Sequence, residues 1–329
     1  MNWVVKAGVQ KAMSALPASQ RANYVFQRHV TRTLPIGDAG VERKFLRALE
    51  HVRAYREHGP RRPLAEAVFY EFGAGWDLAV QLAHASLGVG RQILVDIRPN
   101  VRRELVNATL ASLARQRARL SRETGEELRQ LGAADVHDLA QLEPRFGVVY
   151  LAPRDARETG LPADSVDLTS STNTLEHVPE TELGPILAES ARLLRPDGVM
   201  SFRIDMQDHA SYTDPRVSPY NFLRFSERTW RLATSKLSYQ NRLRLPDYRR
   251  IFDEVGLDVV TETVIGPTEA QLAELDRIEL AARFRGYARE DLAARVLEVV
   301  LRPRLPDRAQ EREHVGRRSG ARIRPGAGP

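Results

Sequence analysis

The feature that most constrains the fold of this chain is an alternation, from residue 67 to residue 301, of short apolar runs with longer amphipathic stretches. The apolar runs have the length of β-strands and lie at residues 67–72, 93–95, 147–151, 166–169, 199–204, 257–264 and 295–301. The longer stretches have helical spacing and lie at residues 78–87, 101–113, 183–194 and 246–255. Strands that alternate with helices predict an α/β domain on a doubly wound parallel sheet with right-handed crossovers.

The two ends of the chain differ from this central pattern. Phe45, Leu49 and Val52 fall on one face of a helix that ends at residues 58–60 (His-Gly-Pro), and we expect residues 1–60 to form an N-terminal helical extension. Residues 302–329 are rich in Arg, Pro and Gly, so we predict a basic, disordered C-terminal tail. The central domain is then expected to span residues 61–301.

Composition excludes several classes of protein. Cysteine is absent, which excludes disulfides, iron–sulfur clusters, cysteine-based zinc fingers and thiol nucleophiles. No apolar run reaches the about 18 residues that a membrane-spanning helix needs. The chain start does not read as a signal peptide, because Lys6 interrupts the apolar residues 3–5 and no apolar core follows. We therefore expect a cytoplasmic protein without a membrane span.

Most of the net charge of +6 lies in the tail. Eight arginines and three acidic residues give residues 302–329 a net charge of +5, so the rest of the chain is nearly neutral. Arginine-rich disordered segments bind nucleic-acid phosphates, so a nucleic-acid partner for this tail is one hypothesis. It is less favoured than a small-molecule partner, because no RNA-binding module is recognisable and the folded part carries little charge.

Polar and glycine residues follow the first four predicted strands. Residues 71–75 (Glu-Phe-Gly-Ala-Gly) end the first strand, Asp96 ends the second, Asp155 follows the third, and residues 173–177 follow the fourth. Ligands of doubly wound sheets bind beyond the carboxyl ends of the strands. Gly73 and Gly75 allow a tight turn close to a ligand, and Asp96 has the spacing at which a carboxylate reaches ribose hydroxyls.

A nicotinamide-dependent oxidoreductase would share this topology. Its fingerprint places a third glycine at position 78, where this chain has Leu78. An acidic residue two positions before the first glycine is also unusual for that class. The oxidoreductase reading is therefore the less favoured one.

The strand-end segments resemble those of a known family. They are residues 71–75, 95–96, 155–156 with 161–168, 173–179 (Asn-Thr-Leu-Glu-His-Val-Pro) and 193–198 (Leu-Leu-Arg-Pro-Asp-Gly). In order and spacing they resemble the class I S-adenosylmethionine-dependent methyltransferases, and among these the broad type 11 small-molecule group. The resemblance covers roughly residues 67–204. It implies a Rossmann-like seven-stranded sheet of order 3-2-1-4-5-7-6, with the seventh strand antiparallel, and S-adenosyl-L-methionine as the cofactor.

The resemblance also implies roles for individual residues. Glu71 with Gly73, Ala74 and Gly75 would hold the methionine end of the cofactor, Asp96 the ribose, and Asp155 and Ala156 the adenine. Asn173 would lie near the sulfonium, and Ile97, adjacent to Asp96, is expected to contact the cofactor as well. Asp77 departs from the family pattern, since many members have glycine there. It is expected either to cap the following helix or to crowd the cofactor.

Methyl transfer from a sulfonium needs an aligned acceptor and, for many acceptors, a base that removes its proton. His177, His209 and Asp205 are the candidate bases, because they follow the fourth and fifth strands at the same rim of the sheet. The insertion at about residues 205–245 is expected to form part of the acceptor pocket. We expect the acceptor to be an oxygen or nitrogen of a small or sugar-containing molecule.

Glu176 and His177 allow a metal reading as well. The pair resembles the Glu-x-x-Glu-His ligands of ubiquinone-biosynthesis O-methyltransferases and small-RNA end methyltransferases, but Asn173 replaces the first glutamate. A divalent site with Asp205 or His209 as a further ligand is the minority alternative. We expect no metal, and the pair could equally cap or orient the loop.

Overall fold

Residues 34–132, 135–235 and 239–304 are described by a computed structural model, together with Gly8, Tyr24, Val25, Gln27 and Arg28. The rest of the predicted N-terminal extension before residue 34 and the tail beyond Arg304 lie outside the described residues. Among the helices that are described, none combines the length and the apolar character needed to cross a bilayer.

Seven strands form one sheet. They are β1 (Val68–Phe72), β2 (Arg91–Val95), β3 (Val148–Leu151), β4 (Val166–Thr172), β5 (Leu194–Asp205), β6 (Leu257–Ile265) and β7 (Val296–Pro303). Their order is β3-β2-β1-β4-β5-β7-β6, and β7 runs antiparallel to both of its neighbours while the other pairs are parallel. The predicted fold class and strand order are confirmed.

Helices cover both faces of this sheet. The α-helices of the described residues are α1 (Asp38–His58), α2 (Ala79–Leu87), α3 (Arg103–Thr124), α4 (Leu142–Phe146), α5 (Glu180–Leu193), α6 (Glu227–Ala233), α7 (Leu245–Val255), α8 (Glu269–Asp276) and α9 (Arg289–Ala293). The strand order reverses between β1 and β4, so a crevice opens above the carboxyl ends of these two strands.

An apolar layer packs on each face of the sheet. One layer contains Phe45, Phe69, Leu82 and Val106, and the other contains Tyr70, Leu187, Phe202 and Phe252. Phe69 and Tyr70 are adjacent in β1 and enter opposite layers, because successive side chains of a strand alternate between its faces. Both faces are buried, which is why every residue of β1 except Glu71 is apolar or aromatic.

Helix α1 belongs to the domain core and is not a separate extension. Its Phe45, Leu49 and Val52 are buried in the first layer. His51 reaches the sheet, with its ring nitrogens 2.8 Å from Ser201 Oγ and 3.0 Å from Thr172 Oγ1. The expected boundary at residue 60 therefore does not separate two independent units.

The end of α3 and the start of β5 differ from the sequence prediction. Helix α3 continues past residue 113 to Thr124, because Leu120 prolongs its buried stripe, and it stops at Gly125 with φ of 73°. Strand β5 already begins at Leu194, and its register against β4 shifts between Val166 and Leu168. The shift accommodates residues 195–198, which were expected to be a turn.

The predicted start of the tail at residue 302 is two residues too early. Arg302 and Pro303 continue β7 and pair with Asp258 and Leu257 of β6. The basic composition does not prevent this, because Arg302 donates to the carbonyl oxygen of His58. Arg304 forms ion pairs with acidic residues of α7 and β6.

The insertion between β5 and α7 is fastened by a buried arginine. Arg244 is fully buried, and its guanidinium donates to the backbone carbonyl oxygens of Met206, Leu292 and Ala294. These carbonyls follow β5 and precede β7. The guanidinium therefore ties the start of the insertion and the segment before β7 to the first turn of α7.

We predict that Arg244→Met lowers the free energy of unfolding by about 3 kcal/mol or more, because three buried carbonyl oxygens lose their donor. Arg249→Met on the same helix is the matched control, since Arg249 forms a half-exposed ion pair with Glu262 that is worth about 1 kcal/mol or less. Urea unfolding followed by circular dichroism measures both. Equal losses for the two variants would contradict the role assigned to Arg244.

Candidate active site

A cavity of about 810 Å³ lies above the carboxyl ends of the first strands. Its walls come from the loops that follow four strands and from the insertion: Gly73 after β1, Asp96 after β2, Asp155 after β3, His177 after β4 and Tyr239 from the insertion. Residues that are far apart in the sequence meet here because parallel strands end at the same edge of the sheet.

Asp96 and Ile97 form one wall of this cavity. Asp96 is buried, and its Oδ1 accepts the backbone N–H of Arg98 at 3.1 Å. Burial raises the pKa of this carboxyl group. Ile97 is 65% exposed, which is unusual for a large apolar side chain, and it lines the same cavity. A carboxylate beside a solvent-exposed apolar side chain suits a ligand that carries hydroxyl groups next to a flat apolar ring.

Asp155 and Ala156 line the cavity after β3. The Asp155 carboxylate is held by Arg157, whose Nη2 lies 2.6 Å from Oδ2 and whose Nε lies 3.0 Å from Oδ1. The hydrogen bond from Arg157 lowers the pKa of Asp155. Arg157 also pairs with Glu182 on α5. A ligand that donates to Asp155 therefore shares the carboxylate with this arginine.

Glu71 lies in an adjoining pocket of about 190 Å³ that shares Gly73 with the larger cavity. Its carboxyl group is buried, and burial raises its pKa to about 7. Lys44 of α1 lines the same pocket, together with Ala74 and Gly75. Of the three predicted cofactor carboxylates, Asp96 and Asp155 thus line one cavity, and Glu71 lies on the other side of the Gly73 turn.

The turn between the two pockets requires glycine for a local reason. Gly73 has φ of 79°, and a Cβ atom at this position would lie 2.5 Å from Thr174 Cγ2. Gly75 has φ of 75° but open space around it. Asp77 caps α2, since its Oδ1 accepts the N–H of Ala79 at 3.1 Å. Asp77 thus has the first of the two roles expected for it, which is to cap the helix that follows.

Asn173 does not line the cavity, contrary to the predicted cofactor contact. It ends β4 with a left-handed backbone, φ of 54°, and its N–H donates to the carbonyl oxygen of Arg203. The chain reverses at this residue, so the next residues reach the cavity. Thr174 and His177 line the wall instead.

The three predicted bases, His177, His209 and Asp205, lie together at the end of this cavity. The ring centroids of the two histidines are 4.9 Å apart, with nearly perpendicular planes. His209 Nε2 is 3.6 Å from Asp205 Oδ2, which also accepts the hydroxyl of Tyr212. Burial opposes ionisation of Asp205, but the contacts with His209 and Tyr212 outweigh it and lower its pKa.

Glu176 completes this cluster and was not among the predicted site residues. It is buried, neither carboxyl oxygen has a hydrogen-bond partner within the described residues, and burial raises its pKa to about 8. The backbone amides of Glu176 and Asp205 lie near the Glu176 carboxyl group and oppose the rise of its pKa. Neither amide meets the geometry of a hydrogen bond to it. A carboxylate oxygen of Glu176 and one ring nitrogen each of His177 and His209 all lie within 4.8 Å of one another.

Sequence reasoning missed Lys44 and Arg157, and it considered Glu176 only as a ligand of the minority metal alternative. Lys44 lies on α1, well before β1, in a segment without a recognisable motif. The signal for Arg157 was its position two residues after Asp155, which places opposite charges at one strand end.

One family model matches a central part of the chain. Residues 111–202, from within α3 to within β5, match the family model described as a methyltransferase domain. Together with the strand order, this match confirms the resemblance to the class I S-adenosylmethionine-dependent methyltransferases. Among curated proteins, no sequence match is significant.

Solved structures with related folds have low sequence identity to this chain. A protein from Galdieria sulphuraria, provisionally described as a sarcosine dimethylglycine methyltransferase, is 14% identical, with 80% of this chain and 86% of that chain covered and a TM-score of 0.42. The 1,6-didemethyltoxoflavin-N1-methyltransferase of Burkholderia thailandensis is 15% identical, with 87% of each chain covered and a TM-score of 0.43. A geranyl diphosphate methyltransferase is 13% identical, with 79% and 76% covered and a TM-score of 0.43. Similarity of this degree does not define the substrate of this chain.

We predict that Gly73→Ala destabilises the protein more than Gly75→Ala. Both variants place a side chain at positive φ, at a cost of about 1–2 kcal/mol, and only Gly73→Ala adds the clash with Thr174, worth about 1–3 kcal/mol more. Urea unfolding measures the difference. Adding Thr174→Ala should recover about 1 kcal/mol of the Gly73→Ala loss, and an additive double variant would rule out the clash.

Proposed function

We propose that this protein is an S-adenosylmethionine-dependent methyltransferase that transfers a methyl group to an oxygen or nitrogen of a small-molecule or sugar-containing acceptor. The observation that carries the proposal is the pair of pockets joined at Gly73. One is a large cavity with a buried carboxylate and an open apolar side chain, and the other is small and charged. An elongated ligand with a nucleoside at one end and an amino acid at the other fits this division.

The nucleoside end of the cofactor occupies the large cavity. Asp96 accepts hydrogen bonds from the ribose hydroxyls, and Ile97 packs against the adenine ring. Asp155 and Ala156 bound the far edge of the adenine site, where the adenine amino group donates to the carboxylate that Arg157 also holds.

The amino-acid end enters the smaller pocket. Glu71 receives the ammonium group, and the turn at Gly73, Ala74 and Gly75 lets the backbone approach the ligand closely. Lys44, on the wall of the same pocket, offers a positive charge to the carboxylate of the ligand. Lys44 and Glu71 thus match the two charges of an amino acid, while Asp77 in the same pocket accepts the N–H of Ala79 as the cap of α2.

The acceptor lies beside His177, Tyr239 and the residues that continue the cavity into the insertion. The acceptor atom attacks the methyl carbon in line with the carbon–sulfur bond, whose electron pair stays on sulfur. The acceptor proton leaves toward the group formed by His177, His209 and Asp205. Since the methyl group is already activated, alignment supplies most of the catalysis.

Two other functions have less support. A nucleic-acid-directed methyltransferase would use the basic tail, and residues 1–301 are nearly neutral in net charge. A nicotinamide-dependent oxidoreductase would need glycine at position 78. Leu78 is fully buried in the core beside α2, so its role there is packing.

Isothermal titration calorimetry with S-adenosylhomocysteine tests the proposal. We expect 1:1 binding by the wild type and about 10- to 100-fold weaker binding by Asp96→Asn, since hydrogen bonds to a charged acceptor are worth about 1.5–3 kcal/mol. Asp276→Asn, in an exposed ion pair with Arg289, is the control and should bind like the wild type. No binding by the wild type at high micromolar ligand would sink the proposed function.

The raised pKa of Glu71, about 7, makes cofactor binding depend on pH. In the free protein Glu71 is largely protonated below pH 7, and the ammonium of the ligand favours the carboxylate, so binding expels the proton. We predict release of about 0.7 proton per S-adenosylhomocysteine at pH 6.5, and an affinity that falls about tenfold from pH 8 to pH 6.

Calorimetry in buffers of different ionisation enthalpy measures the proton release. Glu71→Gln should release no proton. Methylthioadenosine, which lacks the amino-acid end, should bind without proton release to the wild type. Equal proton release with both ligands would assign the effect to a group other than Glu71.

A further inference from the structure

The Glu176 carboxyl group is buried beside His177 and His209. It is 1% exposed, and neither oxygen has a hydrogen-bond partner among the described residues. An ionised carboxylate without a partner is costly in the protein interior. A cation between Glu176 and its neighbours would satisfy both oxygens.

The neighbouring imidazoles are oriented as cation ligands. His177 Nδ1 lies 2.8 Å from the carbonyl oxygen of Tyr239, which can only accept, so Nδ1 carries the proton. In the neutral ring the lone pair is then on Nε2. A hydrogen bond from the second ring nitrogen to a carbonyl is the usual support of a metal-binding histidine. His209 Nε2 is buried and likewise has no hydrogen-bond partner among the described residues.

We propose that Glu176, His177 and His209 bind a divalent transition-metal cation at the acceptor end of the cavity. Two imidazoles and one carboxylate are a ligand set of catalytic zinc and other divalent centres, which keep a position open for substrate. The three ligand atoms lie within 4.8 Å of one another. Ligands about 2.1 Å from a tetrahedral cation lie about 3.4 Å apart, so side-chain adjustments of about 1 Å close the set.

Asp205 adds negative charge on the Nε2 side of His209, next to the proposed cation position. Its Oδ2 lies 3.6 Å from His209 Nε2, and its Oδ1 accepts from the backbone N–H of Gln207. Asp205 follows β5 directly, whereas Glu176 and His177 follow β4. The site thus joins two adjacent parallel strand ends, and it is next to the cavity because His177 lines the wall.

This inference rests on the proposed function and narrows its acceptor to a hydroxyl compound. A bound cation accepts the acceptor oxygen at its open position and lowers the pKa of the hydroxyl. The O–H proton leaves to solvent or Asp205, the oxygen–methyl bond forms, and the carbon–sulfur pair remains on sulfur. No electron is gained or lost overall, so no oxidant or reductant is needed.

Titration of tag-free, chelator-treated full-length protein with Co²⁺ tests the site. We expect one equivalent to bind with visible d–d absorption, and Zn²⁺ to displace it. Glu176→Gln and His209→Ala should each weaken binding at least tenfold. His137→Ala, at an exposed histidine whose backbone alone makes hydrogen bonds, is the matched control and should bind like the wild type. Acetohydroxamate, a small oxygen chelator, should shift the Co²⁺ absorption if the open position faces the cavity.

Binding of S-adenosylhomocysteine separates the outcomes. Retained binding by Glu176→Gln and His209→Ala shows that these variants are folded, so their loss of Co²⁺ supports the site. Wild-type protein that binds S-adenosylhomocysteine but no stoichiometric Co²⁺, or Co²⁺ binding unchanged in both variants, overturns the metal site and leaves the proposed function standing. Co²⁺ binding without a response to acetohydroxamate overturns the hydroxyl acceptor. Absent S-adenosylhomocysteine binding overturns the function, whatever the metal result.

Discussion

The contact between Gly73 and Thr174 determines the shape of the whole ligand-binding edge. Strands β1 and β4 are neighbours at the point where the strand order reverses, and their carboxyl-terminal turns meet there. A hydrogen atom at Gly73 fits against Thr174, and a methyl group does not. The turn therefore separates a large cavity from a small charged pocket without closing the passage between them, and a ligand that uses both must pass the glycine backbone.

Buried carboxyl groups give this edge its chemical preference. Burial raises the pKa values of Glu71, Asp96 and Glu176, so each group favours a state in which its charge is neutralised. A proton does this in the free protein, and a positively charged ligand does it when bound. The same physical cause thus acts at Glu71, which is proposed to receive the ammonium group of the cofactor, and in the Glu176 cluster.

The sequence predicted the topology well because strand–helix alternation has few solutions that bury both faces of a sheet. Residues at strand ends were also predictable, and Asp96 and Asp155 do line one cavity. Asn173, expected near the sulfonium, ends β4 with a left-handed backbone, and its neighbours Thr174 and His177 line the cavity. Glu176 and His209 come together only once β5 and the insertion have folded, and their sequence separation carries no periodic signal.

The insertion that is proposed to contact the acceptor depends on packing at residues that lie beyond the segment resembling the family. Asp205 ends β5, and Met206, the next residue, gives its carbonyl oxygen to the buried guanidinium of Arg244. Arg242, two residues earlier, is also buried and pairs with Glu227 on α6. Arg244 thus ties the insertion to the end of β5, whereas Arg242 donates to two carbonyl oxygens within the insertion itself. Since the proposed cofactor site is lined by strand-end turns and the proposed acceptor side by this insertion, we expect changes in the insertion to alter the acceptor without disturbing those turns.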